Sequence, residues 1–230
     1  MSIELLAQGL GKSFLLVLAA LMPILNPAAS APVFLGLTDG AAPRVRRHLA
    51  RLIARNVVML MMGAMLIGSY VLDFFNLSLP IVRVGGGIVL IANAWRMLNA
   101  VGPGQDKAPS FSPASLHVMR QLAFYPLTFP VTCGPASISI GITMGVTLNT
   151  QDLYLTVANT VGGAIAVIAI GITTYYAFAY AARLLIILGE TGTAVFLRLS
   201  AFILLCIGIE IFWQGFSSLV LDLRPEMVAP

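Results

Sequence analysis

Six long apolar stretches divide the chain, and shorter polar segments separate them. The apolar stretches lie at about residues 3–38, 57–75, 81–98, 116–148, 153–188 and 195–221. A membrane-spanning helix needs roughly 20 apolar residues, and each stretch is about that long or longer. The apolar runs are continuous and do not alternate with polar positions, which favours helices over half-buried strands. The pattern therefore predicts an all-α membrane protein with six transmembrane helices.

Composition supports this class and excludes others. The chain is 59% hydrophobic and 10% charged, whereas soluble domains are about 25% charged. A domain of this size could not bury so much apolar surface by itself. The sequence contains no glycine-rich nucleotide motif, no Cys/His cluster, no HExxH motif and no Ser/His or paired-aspartate arrangement for intramembrane catalysis. We expect no enzyme activity, catalytic residue, metal or cofactor, and no nucleic-acid partner.

Basic residues are distributed unevenly between the two sides of the predicted bundle. Ten arginines and lysines lie in or beside the loops at residues 39–55, 99–115 and 183–198, and three lie on the opposite side. Because short cytoplasmic loops are enriched in lysine and arginine, these three loops are predicted to be cytoplasmic, with both termini outside, in the periplasm. The arginines of residues 44–55 could also bind anionic lipid headgroups, although topology alone accounts for them.

Two of the apolar stretches carry the same proline pattern. The first stretch has 36 residues, about 54 Å as a helix, against a bilayer core of about 30 Å. The pattern P-x3-P-x4-P occurs in both, with an offset of 103, at Pro23, Pro27 and Pro32 and at Pro126, Pro130 and Pro135. Each half of the chain has three apolar stretches, so the second half is predicted to be inverted relative to the first. The predicted units are residues 1–98, a linker 99–115, residues 116–222 and a tail 223–230.

The repeated prolines predict breaks in the first and fourth helices. Proline lacks a backbone donor, and broken backbone is tolerated only where it lines a protein-enclosed or watery cavity. Pro32 and Pro135 are predicted to begin the resumed half-helices, with Ala31 and Gly134 as N-caps that cannot bond to the open N–H groups. Those N–H groups would attract a carboxylate, and carbonyls at the ends of the preceding half-helices would attract an ammonium group.

A small zwitterion would satisfy both ends. The alternative is that the prolines only kink the helices, with serines, threonines and waters repairing the gaps. It also remains open whether the breaks lie in mid-helix or in re-entrant segments. The predicted substrate-binding residues are Asn26, Pro27, Ser30, Ala31, Pro32, Val33, Phe34, Pro130, Thr132, Cys133, Gly134, Pro135, Ala136 and Ser137.

Glu210 is an ionisable residue near the middle of the sixth apolar stretch. Such a residue is costly in a membrane and is therefore a candidate functional group. Its proton could couple transport. The alternative is a neutral carboxyl that forms a hydrogen bond with its surroundings.

Three segments carry a family resemblance. NPAASAPVFLGLT (residues 26–38) and FPVTCGPASISIGIT (129–143) resemble two signatures of the MarC family of bacterial and archaeal membrane proteins, and RVGGGIVLIANAWRML (83–98) resembles its third helix. A related branch, SnatA, is described as transporting small neutral amino acids such as glycine and alanine, and the wider grouping includes exporters like LysE. The family pattern usually has Gln where this chain has Glu210, which argues against a shared coupling role.

The residues and the resemblance together imply an inner-membrane secondary transporter. Its predicted activity is export of small neutral amino acids by alternating access around the two breaks. The alternatives are a passive channel for a small polar solute and an accessory membrane protein that transports nothing. A homo-oligomer is compatible with either function.

Overall fold

The structure, a computed structural model, describes residues 3–38, 41–99 and 121–223. Every element in this part of the chain is a helix, which confirms the all-α class. The predicted linker and tail lie outside the described residues, except for Asn99 and Leu223, each of which ends a helix. The helices are α1 (Ile3–Leu25), α2 (Pro27–Leu37), α3 (Pro43–Phe74), α4 (Leu79–Asn99), α5 (Ala123–Thr132), α6 (Pro135–Leu148), α7 (Leu153–Ala179) and α8 (Ala181–Leu223).

Five helical stretches of the described chain are long and apolar enough to cross a membrane. They are Glu4–Leu37, Pro43–Phe74, Leu79–Asn99, Leu153–Ala179 and Thr191–Leu221. The fourth predicted span differs from these, because the short helices α5 and α6 share its length. The structure thus establishes a bundle with five candidate spans and a composite fourth segment.

The predicted loop at residues 39–55 is wrong for most of its length. Helix α3 begins at Pro43, so Arg44 and the arginines after it lie on helical turns. Proline favours the first position of a helix, where its missing N–H is not needed. At 32 residues α3 is about 48 Å long, which exceeds the bilayer core and leaves room for a charged first section. The hydropathy pattern marks only where the apolar part of α3 begins, whereas the helix itself begins earlier, at Pro43.

The predicted loop at residues 183–198 is also helical. Helix α8 runs from Ala181 to Leu223 and bends at Gly189, where φ is 66° and ψ is 177°. A residue with a side chain rarely adopts such a positive φ, so glycine allows this bend. The segment before Gly189 is rich in leucine, isoleucine and alanine and has no proline. It forms helix although it joins two predicted spans.

Contacts between the two halves of the chain build the bundle. Helix α4 packs along α8, α1 along α7, α3 against α5, α6 and α7, α2 against α5, α7 and α8, and α6 against α1 and α4. The buried core includes Leu21, Met61, Val167 and Phe178, which come from both halves. Both halves of the chain therefore contribute buried residues to one core.

Glycines set the close approach of α4 and α8. A Cβ added at Gly215 would meet the backbone of Pro80 and Val84, and one added at Gly208 would meet Ile91. Residue numbers fall along α4 as they rise along α8, so the two helices run antiparallel. Small residues at these positions allow backbone-to-backbone packing, as in many membrane helix pairs.

Candidate functional site

The first helix break lies between α1 and α2, at Asn26. This residue has a left-handed backbone, with φ 36° and ψ 65°, and Pro27 is the first residue of α2. The prediction that Ala31 is the N-cap and Pro32 the first residue is therefore wrong by five positions. Pro32 lies inside α2, and Val33 and Phe34 belong to its second turn. A helix leaves only its first four N–H groups without a partner in the helix, so the predicted open N–H groups of Val33 and Phe34 are not at a helix start.

The chemistry of asparagine explains this position. Asparagine adopts the left-handed region more readily than alanine and caps helices well, whereas alanine does neither. The Asn26 Oδ1 accepts the N–H of Ala29 at 3.2 Å, and the Asn26 carbonyl accepts the N–H of Ser30 at 3.1 Å. Pro27 has no N–H, and the N–H groups of Ala29 and Ser30 are bonded to Asn26. The N–H of Ala28 is therefore the one donor in the first turn of α2 that these bonds leave unaccounted for.

The second break lies before α6 and matches the prediction. Gly134 is the N-cap, with φ −90° and ψ 176° and no side-chain cap, and Pro135 is the first helical residue. The Gly134 carbonyl accepts the N–H of Ser137 at 3.1 Å and the Ser137 hydroxyl at 2.8 Å. The Ser137 N–H is therefore not open, contrary to the prediction. These bonds leave the N–H of Ala136 unaccounted for.

Helix α5, which leads to the second break, is a π-helix, which has a wider turn than an α-helix. Two residues inside it, Tyr125 and Phe129, have extended backbones, and each directly precedes a proline. A proline disfavours helical geometry in the residue before it, and Pro130 lies immediately after Phe129. Hydroxyl groups repair part of the gap: Thr128 Oγ1 donates to the Ala123 carbonyl at 2.6 Å, and Thr132 Oγ1 donates to the Leu127 carbonyl at 2.8 Å.

Threonine hydroxyls, which the alternative to a substrate site invokes, thus bond to backbone carbonyls within α5. At its end, the Cys133 N–H donates to the Thr128 carbonyl at 2.7 Å, and the chain then extends to Gly134. Hydroxyl bonds to the backbone and an uncapped helix start therefore occur within residues 123–134.

The structure brings the two break regions into one core. Leu25, Ala31 and Phe34 from the first region and Cys133 and Ala136 from the second belong to the same hydrophobic cluster. Phe34 stacks on Phe178 of α7, with ring centroids 4.8 Å apart. Of the predicted site residues, the buried ones are Pro27, Ala31, Phe34, Thr132, Cys133, Ala136 and Ser137, the half-buried ones Asn26, Ser30, Pro32 and Gly134, and the exposed ones Val33 and Pro135.

Asn56 contacts the second break region, and the sequence did not predict this contact. Its Nδ2 donates to Thr128 Oγ1 at 3.4 Å, which links α3 to α5. Asn56 and Asn159 are separated by 103 residues, the same offset as the prolines, and so are Gly68 and Gly171. Extending the repeat search beyond proline could have found this asparagine.

Glu210 lies on the surface of the described bundle. Its side chain is exposed on α8, and Glu210 Oε1 accepts a hydrogen bond from Gln214 Nε2 at 2.8 Å. A role for Glu210 in proton coupling stays a prediction.

The chemistry available at the breaks is polar and uncharged. Residues 22–38 and 123–137 contain no acidic or basic side chain. The groups present are backbone N–H and carbonyl groups and the uncharged polar side chains of Asn26, Ser30, Thr38, Tyr125, Thr128, Thr132, Cys133 and Ser137. Such a set suits a solute with no net charge, because a net charge in a low-dielectric interior needs an opposite charge.

The fold and the breaks define a multi-pass helical membrane protein whose helices are interrupted inside the bundle. The model of the MarC family of integral membrane proteins matches residues 11–220, and the chain belongs to this family. The inner membrane protein MarC of Escherichia coli K12 and that of Escherichia coli O1:K1 are each 25% identical to it over 213 residues, covering 91% of this chain and 96% of the relative. No solved structure matches the chain. Its family and apolar helices make it a multi-pass inner-membrane protein.

Proposed function

We propose that this protein is a secondary transporter for small neutral amino acids, with its substrate site at the two helix breaks. The observation that carries the proposal is the uncapped start of α6 at Gly134, inside a core shared with the break at Asn26. Interrupted helices near the middle of the membrane are the usual substrate sites of secondary transporters built from inverted repeats.

The pattern of helix contacts supports two inverted repeats. Suppose that α1 is exchanged with α5, α2 with α6, α3 with α7 and α4 with α8. Each main contact between the halves then becomes either a different contact of the bundle or the same one. The pair α1–α7 becomes α3–α5, α2–α7 becomes α3–α6, and α2–α8 becomes α4–α6. The pairs α3–α7 and α4–α8 map onto themselves. Helices related by an axis in the membrane plane run in opposite directions, as α4 and α8 do.

The absence of charged side chains in the break sequences favours a zwitterion over an anion or a cation. A carboxylate would bind at the start of α6, where the helix dipole is positive and Gly134 offers no side chain. The ammonium group would be held by carbonyl and hydroxyl oxygens. The resemblance to the SnatA branch implies the same substrate class, glycine and alanine.

The proposed orientation puts both termini in the periplasm, with the arginine-rich first section of α3 in the cytoplasm. Alternating access would then expose the breaks to each side in turn, with export as the proposed direction. A passive channel or an accessory protein remains the competing function. A channel would conduct without saturating, and an accessory protein would carry no flux.

Counterflow of labelled alanine into proteoliposomes preloaded with unlabelled alanine tests the proposal. The purified protein should give saturable counterflow, and Gly134→Leu should abolish it, because the side chain would fill the approach to α6. The backbone of Gly134 is extended, a conformation that any residue adopts, so this loss would not come from backbone strain. Gly134→Ala should keep most of the activity.

Gly85→Leu is the matched control, since a Cβ at Gly85 meets nothing within 4 Å. Equal counterflow by Gly134→Leu and Gly85→Leu proteins, both correctly inserted, would remove the site assignment. Flux that rises linearly with alanine would support the channel. No flux above empty liposomes would remove small neutral amino acids as substrates.

A further inference from the structure

A cavity of about 170 Å³ lies at one end of the bundle, apart from the helix breaks. It forms where α2 and α7 end and α3 and α8 begin. Arg46, Arg47 and Arg183 line it, and its described lining residues include no aspartate or glutamate. The cavity therefore concentrates positive charge from two distant parts of the chain. Topology explains why arginines occur on this side, but it does not require them to converge on one cavity.

Two of the arginines are held in place on walls formed by different helices, α3 and α8. Arg46, on α3, donates from Nε and Nη2 to the Thr38 carbonyl at 3.2 and 3.1 Å, at the end of α2. Arg183, on α8, lies over the ring of Tyr180 with Cζ 5.6 Å from the ring centroid. Such a cation–π contact helps to orient the guanidinium. Planar guanidinium groups bind phosphate oxygens through paired N–H donors.

The walls of the cavity are also apolar. Leu35 and Phe178 line it, and Ile186 and Ile187 follow Arg183 by one turn of α8. These two isoleucines are 80% and 83% exposed, so this part of α8 presents apolar surface close in sequence to Arg183. A ligand with a negative charge and an attached apolar portion would match both features.

We propose that this cavity binds the phosphate headgroup of an anionic membrane phospholipid, with its acyl chains along the exposed isoleucines of α8. Arg47 and Arg183 hold the phosphate from two sides, and Arg46 fixes the wall that joins α2 to α3. Basic pockets between membrane helices on the cytoplasmic side bind lipid headgroups by this chemistry. The proposal is independent of the transported solute.

Titration of the full-length protein with phosphatidylglycerol in neutral detergent micelles, followed by native mass spectrometry, tests the proposal. The wild-type protein should bind phosphatidylglycerol far more tightly than phosphatidylcholine. The pair Arg47→Gln and Arg183→Gln should bind it roughly twenty-fivefold more weakly, at about fivefold per arginine near an anionic headgroup.

The control pair is Arg51→Gln and Arg55→Gln, exposed residues of α3 that do not line the cavity. It removes the same charge and should weaken binding less than threefold. The pair Arg47→Lys and Arg183→Lys should keep part of the affinity and checks folding. Equal losses in both glutamine pairs would overturn the proposal in favour of diffuse attraction. Equal binding of both lipids would overturn it too, and inorganic phosphate that binds as tightly as the lipid would identify a soluble anion as the ligand.

Discussion

Asn26 should be the most sensitive capping residue of the bundle, because it has two functions at once. Its side chain caps α2 and its backbone is left-handed. Loss of an N-cap typically costs about 1 kcal/mol, and a left-handed backbone costs alanine about 1 kcal/mol more. Asn26→Ala should therefore lower the free energy of unfolding by about 2 kcal/mol. Asn26→Gly removes the same bond but adopts the left-handed region freely, so it should lose only a few tenths of a kcal/mol.

Asn76 offers a control within the same chain. It also has a positive φ, 53°, but it is exposed at the end of α3, and its hydrogen bond there comes from the backbone N–H. Asn76→Ala should lose only the conformational part, about 1 kcal/mol, and Asn76→Gly should be close to neutral. The difference between the two alanine variants then measures the cap.

Thermal unfolding in detergent micelles, followed by tryptophan fluorescence, measures these changes. For soluble domains of this size 1 kcal/mol shifts the melting temperature by about 2–4 °C. The expected decreases are therefore about 4–8 °C for Asn26→Ala and about 2–4 °C for Asn76→Ala. If Asn26→Ala and Asn26→Gly melt together, or if Asn26→Ala is no worse than Asn76→Ala, the first break does not lie where the structure puts it.

Three further predictions follow from packing and exposure. Gly87→Ala should destabilise the bundle by about 1–3 kcal/mol, because its Cβ would lie 2.6 Å from the backbone of α8. Gly85→Ala should not destabilise it, since a Cβ there meets nothing within 4 Å, and equal melting temperatures for the two variants would contradict this packing. Glu210→Gln should leave alanine counterflow and its pH profile unchanged, since the side chain is exposed on α8; a shifted profile would instead support proton coupling. In a Cys206→Ser background, the buried Cys133 should react slowly with a maleimide. Saturating alanine should slow this reaction further. A labelling rate that is the same with and without alanine would place the substrate elsewhere.

The apolar pattern predicted the class of fold, because continuous apolar runs of this length have few other stable forms. It failed at residues 39–55 and 183–198, where helices continue past the predicted span boundaries. Hydropathy reports solvent preference, and a helix with a charged first section satisfies its backbone in water as well as in lipid. Asn56 was missed for another reason, since its contact with Thr128 joins two elements far apart in sequence.

The second break was predicted correctly and the first was not, and the difference lies in single residues. Pro27 corresponds to Pro130 at the offset of 103, and Pro32 corresponds to Pro135. Both halves could break at either proline, so the preceding residue decides. Asn26 stabilises the earlier position in the first half, whereas in the second half the backbone is extended before both prolines, at Phe129 and at Gly134, and α6 begins only after the later one.

This shift makes the two half-helix starts chemically different. The start of α2 already contains a bound oxygen, the Asn26 Oδ1, which occupies the place of an anion. The start of α6 has no side-chain cap, although each start leaves one first-turn N–H unaccounted for, that of Ala28 in α2 and that of Ala136 in α6. A carboxylate should therefore prefer α6, and the ammonium group of the solute would lie toward the Asn26 side, where oxygens such as the Asn26 Oδ1 are present. Two sites related by exact symmetry would bind a zwitterion in either orientation, whereas these two starts favour one.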